Sequence, residues 1–172
     1  MTAQEQYEQQ FFCWSDVRPY LPTLRSKAKG SVLELGSRGG ASTIALLAGV
    51  EANGGHVWSV DIDEQCGKLF QHPQWTFIWC NSMDEMCVKA NGGPNKLDLL
   101  FLDTLHDYWQ VSNELDIWGD SVKPGGCILV HDTLLSNGAR SAVNAWAVQN
   151  GYMATFRTQA SGMGIIEIPE ED

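Results

Sequence analysis

Residues 31–40 read SVLELGSRGG, and in this stretch a buried-type strand runs directly into a glycine-rich turn. The apolar residues among positions 32–35 suit a strand that is covered on both faces. Three glycines then let the backbone turn tightly and approach a ligand before a helix begins at about Ala41: Gly36, Gly39 and Gly40. A strand, a glycine turn and a helix in this order predict a nucleotide-type binding site at the carboxyl end of a parallel sheet.

Glu34, the acid inside this strand, indicates the charge of the ligand. The dinucleotide fingerprint needs a glycine at the position of Arg38, so the spacing of this turn differs from it. A carboxylate two residues before the first glycine would repel a pyrophosphate, but it would suit a cation such as S-adenosylmethionine, which carries a sulfonium and an ammonium. The alternative is a structural acid that caps nearby backbone N–H groups in an ordinary glycine-rich loop.

The composition of the chain fits one globular domain that acts on a small molecule. Its 172 residues are 44% hydrophobic and 19% charged, with a formal net charge of −10. This acidity disfavours nucleic acid as a partner, because phosphate contacts need clustered Lys and Arg. The polar N-terminus and the lack of a long apolar run predict neither a signal peptide nor a membrane span. The cysteines form no CxxC pair, so we expect reduced thiols of a cytoplasmic protein: Cys13, Cys66, Cys80, Cys87 and Cys127.

Strands and helices alternate along the rest of the chain. Apolar runs predict strands near 31–36, 56–63, 75–80, 97–103, 127–132, 152–158 and 162–169. The segments between them predict helices near 41–52, 63–71, 108–119 and 137–151, and a short helix that begins near residue 83. This alternation implies a parallel sheet, and the short gap before the last strand requires an antiparallel pair. We therefore predict an α/β, Rossmann-like, doubly wound, mostly parallel seven-stranded sheet with a C-terminal antiparallel hairpin. It would be a single domain of residues 31–172 that follows an N-terminal helical segment, residues 1–30.

Polar residues follow each of the first five strands, at the edge where an open α/β sheet binds its ligand. Asp61 ends the second strand about twenty-five residues after the first glycine, roughly the offset at which an acid binds ribose hydroxyls. The alternative role for such an acid is a helix cap, for which Asp63 is the better candidate. Ile62 would then lie against the adenine ring. Ser82 and Met83, after the third strand, fall where an adenine edge would lie, with an ordinary turn and helix start as the alternative.

Asp103 and His106, after the fourth strand, carry the strongest indication of catalysis. A carboxylate at the end of a buried strand needs a cation, a metal or several donors. The imidazole of His106 is a candidate general base for a hydroxyl nucleophile. Asp132 ends the next strand, so Asp103 and Asp132 would share a divalent ion, or would hold the cofactor's ammonium and cap a helix. Of the seven tryptophans, Trp14 and Trp109 suit a substrate contact, whereas the others are expected in the core.

The order of these motifs resembles the class I S-adenosylmethionine-dependent methyltransferases. Within them it is most similar to the small-molecule O-methyltransferase-like group of macrocin-type and catechol-type enzymes. The resemblance spans about residues 31–148 through five runs: VLELGSRGGAST, VWSVDID, LDLLFLDTLHDY, VKPGGCILVHDT and GARSAVNAW. It implies methyl transfer from S-adenosylmethionine to an oxygen of a small-molecule acceptor. Aminopropyl transfer, cofactor breakdown and a non-catalytic cofactor-binding domain remain the alternatives.

The resemblance also implies roles for individual residues. Glu34, Gly36 and Ser42 would lie around the methionine moiety, within a turn that also contains the cofactor-contacting Ser37, Gly39 and Gly40. Asp61 would bind ribose and Ser82 would contact adenine. Asp103 would lie by the methionine amine and, in metal-dependent relatives, would bind Mg²⁺ together with Asp132. His106 would match a catalytic base of some macrocin-type relatives.

Two departures from that group affect the acceptor site. Catechol-type relatives have Asp-Asn where this chain has Asp132-Thr133, and macrocin-type relatives can have an acid at the position of His131. The third metal ligand is therefore open. The chain has no counterpart of the larger capping segments of many relatives, which predicts an open acceptor pocket or one completed by a second copy in a homodimer.

Overall fold

The fold is built on one seven-stranded sheet. The computed structural model describes residues 2–10 and 15–170, so the predictions for Cys13 and Trp14 lie outside the described residues. The strand order is β3-β2-β1-β4-β5-β7-β6, and only β7 runs antiparallel to its neighbours. The strands are β1 Gly30–Leu35, β2 Gly55–Asp61, β3 Trp75–Trp79, β4 Leu97–Leu102, β5 Val122–His131, β6 Ala154–Arg157 and β7 Met163–Glu167. The predicted fold class, including the C-terminal hairpin, is confirmed.

Helices cover both faces of the sheet, which explains why the central strands are apolar on both sides. The helices are α1 Ala3–Gln10, α2 Leu21–Lys27, α3 Ala41–Asn53, α4 Glu85–Ala90, α5 Tyr108–Trp118 and α6 Asn137–Gln149. Residues of α1, α2 and α3 form the core on one face, and residues of α4, α5 and α6 form the core on the other. The N-terminal segment packs against α3 and shares its core. At this contact Gly49 of α3 lies so close to α2 that a Cβ atom would be 2.4 Å from the carbonyl oxygen of Arg25.

Several local predictions differ from the structure. The helix expected near 63–71 is a single 3₁₀ turn, Glu64–Lys68, capped as predicted by Asp63, whose carboxylate accepts from the Gln65 N–H. β5 begins at Val122, five residues before the predicted start, because Val122 already pairs with Leu97 of β4; the KPGG residues form an irregularity before regular pairing resumes at Cys127. Trp79, expected in the core, is exposed because β3 is an edge strand of the sheet.

The cysteine prediction is wrong for two residues. Cys80, just after β3, and Cys87, in the first turn of α4, form a disulfide with their Cα atoms 6.4 Å apart. They lie seven positions apart in the sequence, and the tight turn into α4 brings the two ends of this loop together. Cys66 and Cys127 are free and buried, as expected of core thiols. Among the described residues, no helix is both long enough and apolar enough to cross a membrane.

Candidate active site

Two adjoining cavities open at the carboxyl edge of the parallel strands. The larger has a volume of about 660 Å³ and the smaller about 260 Å³, and Arg38, Asp103 and Thr104 line both. The predicted site residues divide between them. The larger is lined by Ser37, Gly39, Ser42, Asp103, His106 and Asp132, and the smaller by Gly36, Asp61, Ile62, Ser82 and Asp103. Three predicted residues line neither cavity: Glu34, Gly40 and Met83.

Three residues of the glycine turn have positive φ angles: Gly36, Arg38 and Gly40. Gly36 has φ +85°, and a Cβ atom there would be 2.3 Å from the Asp103 carbonyl oxygen, so only glycine lets β1 and β4 end side by side. Gly40 has φ +77° and lies against the Phe70 ring, which makes it a packing residue and not a ligand contact. Arg38 adopts φ +40°, a positive value that residues other than glycine take uncommonly.

Glu34 is completely buried beneath the turn. Its Oε2 accepts hydrogen bonds from the hydroxyls of Thr43 at 2.7 Å and Ser59 at 2.5 Å. Burial raises the pKa of the Glu34 carboxyl to about 7, although the hydroxyl donors, including Ser42, oppose the rise. The Glu34 carboxyl therefore lies behind the cavity walls, and its expected contact with a cationic ligand stays a prediction. Ser42, one of its hydrogen-bond donors, lines the larger cavity, and so does Asp103, whose negative charge also raises the pKa of Glu34.

Asp61 joins the end of β2 to the glycine turn. Its Oδ2 accepts from the backbone N–H groups of Ser37 at 2.8 Å and Arg38 at 3.0 Å, and its Oδ1 accepts from Asp63 N–H at 2.9 Å. Burial alone would raise the pKa of Asp61, but these backbone donors outweigh it and hold the pKa below its ordinary value. A carboxylate has about four acceptor positions, so Oδ1 retains capacity for a further hydroxyl donor.

A buried polar network forms the floor of the smaller cavity. Glu114 of α5 accepts from Ser82 Oγ at 2.6 Å, from Gln110 Nε2 at 2.7 Å and from Thr104 Oγ1 at 2.8 Å. The network ties the ends of β3 and β4 to α5. Burial raises the pKa of the Glu114 carboxyl although these donors oppose the rise. Ser82 is thereby held at the cavity wall.

Met83, the other expected contact with the adenine edge, faces elsewhere. Met83 lines a separate surface cavity together with Asn81 and Asp84. The Asp84 side chain caps α4 by accepting from the Cys87 N–H at 2.9 Å. Ser82 and Met83 lie in the turn between β3 and α4, and their side chains line different cavities.

Two aspartates and two histidines meet at the ends of β4 and β5, and we refer to Asp103, His106, His131 and Asp132 as the Asp–His cluster. Asp103 Oδ1 lies 3.2 Å from His106 Nε2 and 3.0 Å from His131 Nδ1. His106 Nδ1 lies 3.0 Å from Asp132 Oδ2, so His106 bridges both carboxylates. Asp132 adopts φ +59°, a conformation that few residues other than glycine take. The predicted adjacency of the two aspartates is confirmed by the pairing of β4 with β5.

Charge pairing sets the protonation of this cluster. Burial would lower the pKa of His106, but hydrogen bonds to Asp103 and Asp132 outweigh it and raise the pKa to about 9. Burial would raise the pKa of both aspartates, and the same contacts lower it instead. His106 is thus an imidazolium in this arrangement. Its predicted role as a base then requires one of its two carboxylate contacts to open.

The comparison with protein families identifies the class of this site. A family model described as a methyltransferase domain matches residues 33–133, which is more than half of the chain. The chain belongs to this methyltransferase family. The matched segment begins within β1 and ends just after β5, so it contains every predicted site residue. The membership expected from the sequence motifs is confirmed.

Solved structures share the fold of this methyltransferase at low identity. A protein from Corynebacterium glutamicum is 14% identical, with a TM-score of 0.73 over 99% of this chain and 89% of that chain. The O-methyltransferase NovP is 14% identical, with a TM-score of 0.73 over 89% and 81% of the two chains. MycE, solved with Mg, S-adenosylhomocysteine (SAH) and mycinamycin VI, is 16% identical, with a TM-score of 0.68 over 99% of this chain and 54% of that chain. No curated protein sequence matches the methyltransferase significantly.

The donor atoms of the Asp–His cluster do not fit the expected magnesium site. Mg²⁺ is bound by oxygen ligands in near-ideal octahedral geometry. Asp103 and Asp132 supply oxygens, but the third group that faces them is the imidazole of His131, whose Nδ1 lies 3.0 Å from Asp103 Oδ1 and 3.6 Å from Asp132 Oδ1. We therefore derive no step of the reaction through Mg²⁺.

The sequence prediction missed two residues of the methyltransferase site, Glu114 and Asp16. Glu114 has a recognisable signal, because it is an acid on the face of α5 that Val111, Leu115 and Trp118 make apolar. Asp16 lines the larger cavity from the N-terminal segment, and no local pattern places it there. Trp109, a predicted substrate contact, lies exposed beside the site and lines neither cavity.

Proposed function

We propose that this methyltransferase moves the methyl group of S-adenosylmethionine to a hydroxyl oxygen of a small-molecule acceptor. The observation that carries the proposal is that the two cavities meet at Asp103. One cavity has the Asp61 carboxylate in its wall, and the other has His106 and Asp132 in its wall. A cofactor that spans both cavities would present its reactive centre next to a group that accepts a proton.

The smaller cavity suits the adenosine part of the donor. Asp61 Oδ1 would accept a ribose hydroxyl, and the exposed Ile62 side chain would lie against the adenine ring. Ser82, held by Glu114, would contact the adenine edge. The methionine part would extend past Gly36 and Gly39 toward Ser42, and Asp103 would face its ammonium.

The larger cavity would hold the acceptor. Its hydroxyl oxygen attacks the methyl carbon in line with the carbon–sulfur bond, a new carbon–oxygen bond forms, and the electron pair of the broken bond stays on sulfur to give SAH. His106 first gives its Nε2 proton to Asp103 or to water and turns this nitrogen from Asp103 toward the acceptor, and the acceptor proton then passes to the free Nε2. Alignment of oxygen, methyl and sulfur supplies most of the acceleration, and proton transfer contributes roughly 10²- to 10⁴-fold.

The acceptor is best sought among apolar molecules that carry a hydroxyl group. Leu105, Leu134 and Leu135 are exposed on the loops that follow β4 and β5, at the edge of the sheet where the two cavities open. A homodimer that covers this edge and a cytoplasmic location stay predictions. Sedimentation at several protein concentrations measures the oligomeric state directly.

The test is product analysis with S-adenosylmethionine and a panel of phenolic, sugar and macrocyclic alcohols. We expect SAH together with an acceptor that has gained one methyl group. The variant His106→Asn should lose about 100-fold or more of the turnover while SAH affinity stays near that of the parent, and His72→Asn, remote from both cavities, serves as the control. Accumulation of methylthioadenosine in place of SAH would show aminopropyl transfer or cofactor breakdown instead.

A further inference from the structure

The hydrogen bonds that hold the floor of the smaller cavity converge on Glu114. An ionised carboxylate accepts and never donates, so the hydroxyls of Ser82 and Thr104 give their protons to Glu114 at 2.6 and 2.8 Å. Gln110 Nε2 donates to Glu114 Oε1 at 2.7 Å. Glu114 is fully buried, whereas the three donors line the cavity. The polar protons of these three side chains are therefore turned away from a ligand in the cavity.

Only one orientation of the Gln110 amide fits this network. Both amide protons have acceptors, because Nε2 lies 2.7 Å from Glu114 Oε1 and 3.2 Å from Ser82 Oγ. A flipped amide would place its oxygen against the Glu114 carboxylate, and neither atom would have a proton to share. The backbone of Gln110 is fixed as well, since its N–H donates at 2.8 Å to Asp107, the cap of α5.

The amide oxygen of Gln110 is the polar atom of this side chain that the network leaves open. Only 7% of Gln110 is exposed, and its Oε1 has no hydrogen-bond partner within residues 2–10 and 15–170. Buried polar groups in proteins are almost always hydrogen-bonded. This oxygen therefore needs a donor, which a ligand in the smaller cavity can supply because Gln110 lines that cavity.

Asn81 lines the same cavity with the opposite polarity. Its Oδ1 accepts from the Met83 N–H at 2.9 Å, which leaves its amide protons for a ligand. A ligand edge that pairs with both Gln110 and Asn81 must combine a donor with an acceptor. Adenine has such an edge, since its exocyclic amine donates and a neighbouring ring nitrogen accepts. Hypoxanthine has a carbonyl where adenine has the amine, so the polarity of that position is reversed.

We propose that Gln110 determines the nucleobase specificity of this methyltransferase, because its Oε1 accepts a proton of the exocyclic amine of adenine. Glu114 is a positioning residue, which acts through Gln110 by holding the amide nitrogen away from the cavity. A hydroxyl such as that of Ser82 can rotate to donate or to accept and tolerates either base, whereas the Gln110 amide cannot flip without facing Glu114. The inference deepens the proposed function, on whose cofactor site it rests.

The test is calorimetric titration of the parent with three ligands that differ at one position of the base: SAH, its 6-oxo analogue S-inosylhomocysteine, and its purine analogue, in which hydrogen replaces the amine. A buffer near about pH 8.5 favours ionised Glu114, because burial raises the pKa of this carboxyl. The purine analogue should bind roughly 3- to 10-fold less tightly than SAH through the loss of one hydrogen bond. The 6-oxo analogue should bind at least about 10-fold less tightly, because two acceptors would face each other.

Variants of Gln110 show whether this residue causes the preference. Gln110→Met removes the amide but keeps a chain of similar length, and it should bring the three affinities within about 3-fold of one another. Loss of packing alone would weaken all three ligands alike and keep their ratios. Glu114→Gln should also reduce the preference, because a neutral amide partner permits Gln110 to flip. Gln149→Met, the same replacement at the exposed end of α6, is the control and should leave all three affinities unchanged.

The inference is overturned if the parent binds the 6-oxo analogue within about 3-fold of SAH, or if folded Gln110→Met keeps the preference of the parent. Gln110→Asn, whose amide is one methylene shorter, is a second variant with the same expectation. The ligand series also separates the two proposals. SAH binding without a preference among the bases rejects this inference alone, whereas failure of the parent to bind SAH rejects the proposed function together with it.

Discussion

The buried acid of the opening motif gives a prediction about stability that depends on pH. Glu34→Gln replaces the carboxyl with a neutral group of the same shape and keeps an oxygen for the Thr43 and Ser59 hydroxyls. Burial raises the pKa of Glu34 from 4.5 to about 7 in the folded chain. The folded chain therefore binds this proton more tightly than the unfolded chain, and the stabilisation is present below about pH 4.5 and is lost as the pH rises through about 7.

The magnitude follows from the size of this shift. Each pKa unit corresponds to about 1.4 kcal/mol, so ionised Glu34 costs the folded state about 3 kcal/mol relative to the protonated form. Between about pH 5 and about pH 8.5, the free energy of unfolding of the parent should fall by about 2.5 kcal/mol relative to Glu34→Gln. Other titrating groups are common to both proteins and cancel in this difference.

Urea unfolding at a series of pH values, without cofactor, measures this difference. Glu85→Gln is the matched control, because it makes the same replacement at an exposed position in the first turn of α4. A flat difference for Glu34→Gln over the same range would refute the assignment of a raised pKa to buried Glu34.

Three further predictions concern the buried polar network, the glycine turn and the disulfide. Glu114→Gln should weaken SAH binding roughly 10-fold, because an amide gives up one acceptor oxygen of the buried network; unchanged calorimetric affinity would contradict this. Gly40→Ala should lower the free energy of unfolding by roughly 1–3 kcal/mol, because the backbone is left-handed and the added Cβ atom would be 2.5 Å from the Phe70 ring. Gly39→Ala is the control and should leave the free energy of unfolding unchanged, because a Cβ atom at Gly39 would have no atom within 4 Å. Cys87→Ser should cost about 2–3 kcal/mol by opening the Cys80–Cys87 loop, and adding a reductant to the variant should have no further effect on urea unfolding.

The sequence predicts those features of the fold that depend on local periodicity. The apolar runs of β1 and β4, the glycines at the ends of elements and the short gap between the last two strands each restrict the chain to few arrangements. The polar residues at the strand ends were predicted for the same reason, because all parallel strands end at one edge. Asp61, Asp103 and His106 accordingly lie together around the two cavities.

Features that depend on side-chain direction or on distant segments were not predictable. Glu34 points away from the cavities toward Thr43 and Ser59, and nothing in the SVLELGSRGG stretch determines that direction. Met83 points away from the cavity that Ser82 lines, although the two are adjacent in sequence. Asp16 reaches the site only because the N-terminal segment folds across the sheet.

The disulfide and the surroundings of His131 also could not be predicted from local sequence. A spacing of seven residues does not specify a disulfide, because the pairing depends on how sharply the chain turns from β3 into α4. The His131 ring is fixed by Ser161 from the hairpin turn and by Asp103 from β4, residues that lie about 30 positions away on either side. Sequence reasoning identified His131 as a departure from relatives, but not as a buried group aimed at two carboxylates.

Calorimetric titration with S-adenosylmethionine tests the central claim most directly, because the proposed reaction requires this donor to bind the two cavities. We predict one site per chain, with affinity reduced at least about 10-fold in Asp61→Ala, since that change removes the charged acceptor that we propose for the ribose hydroxyls. Glu85→Gln should bind like the parent. Absence of binding, or binding that Asp61→Ala leaves unchanged, would contradict the account.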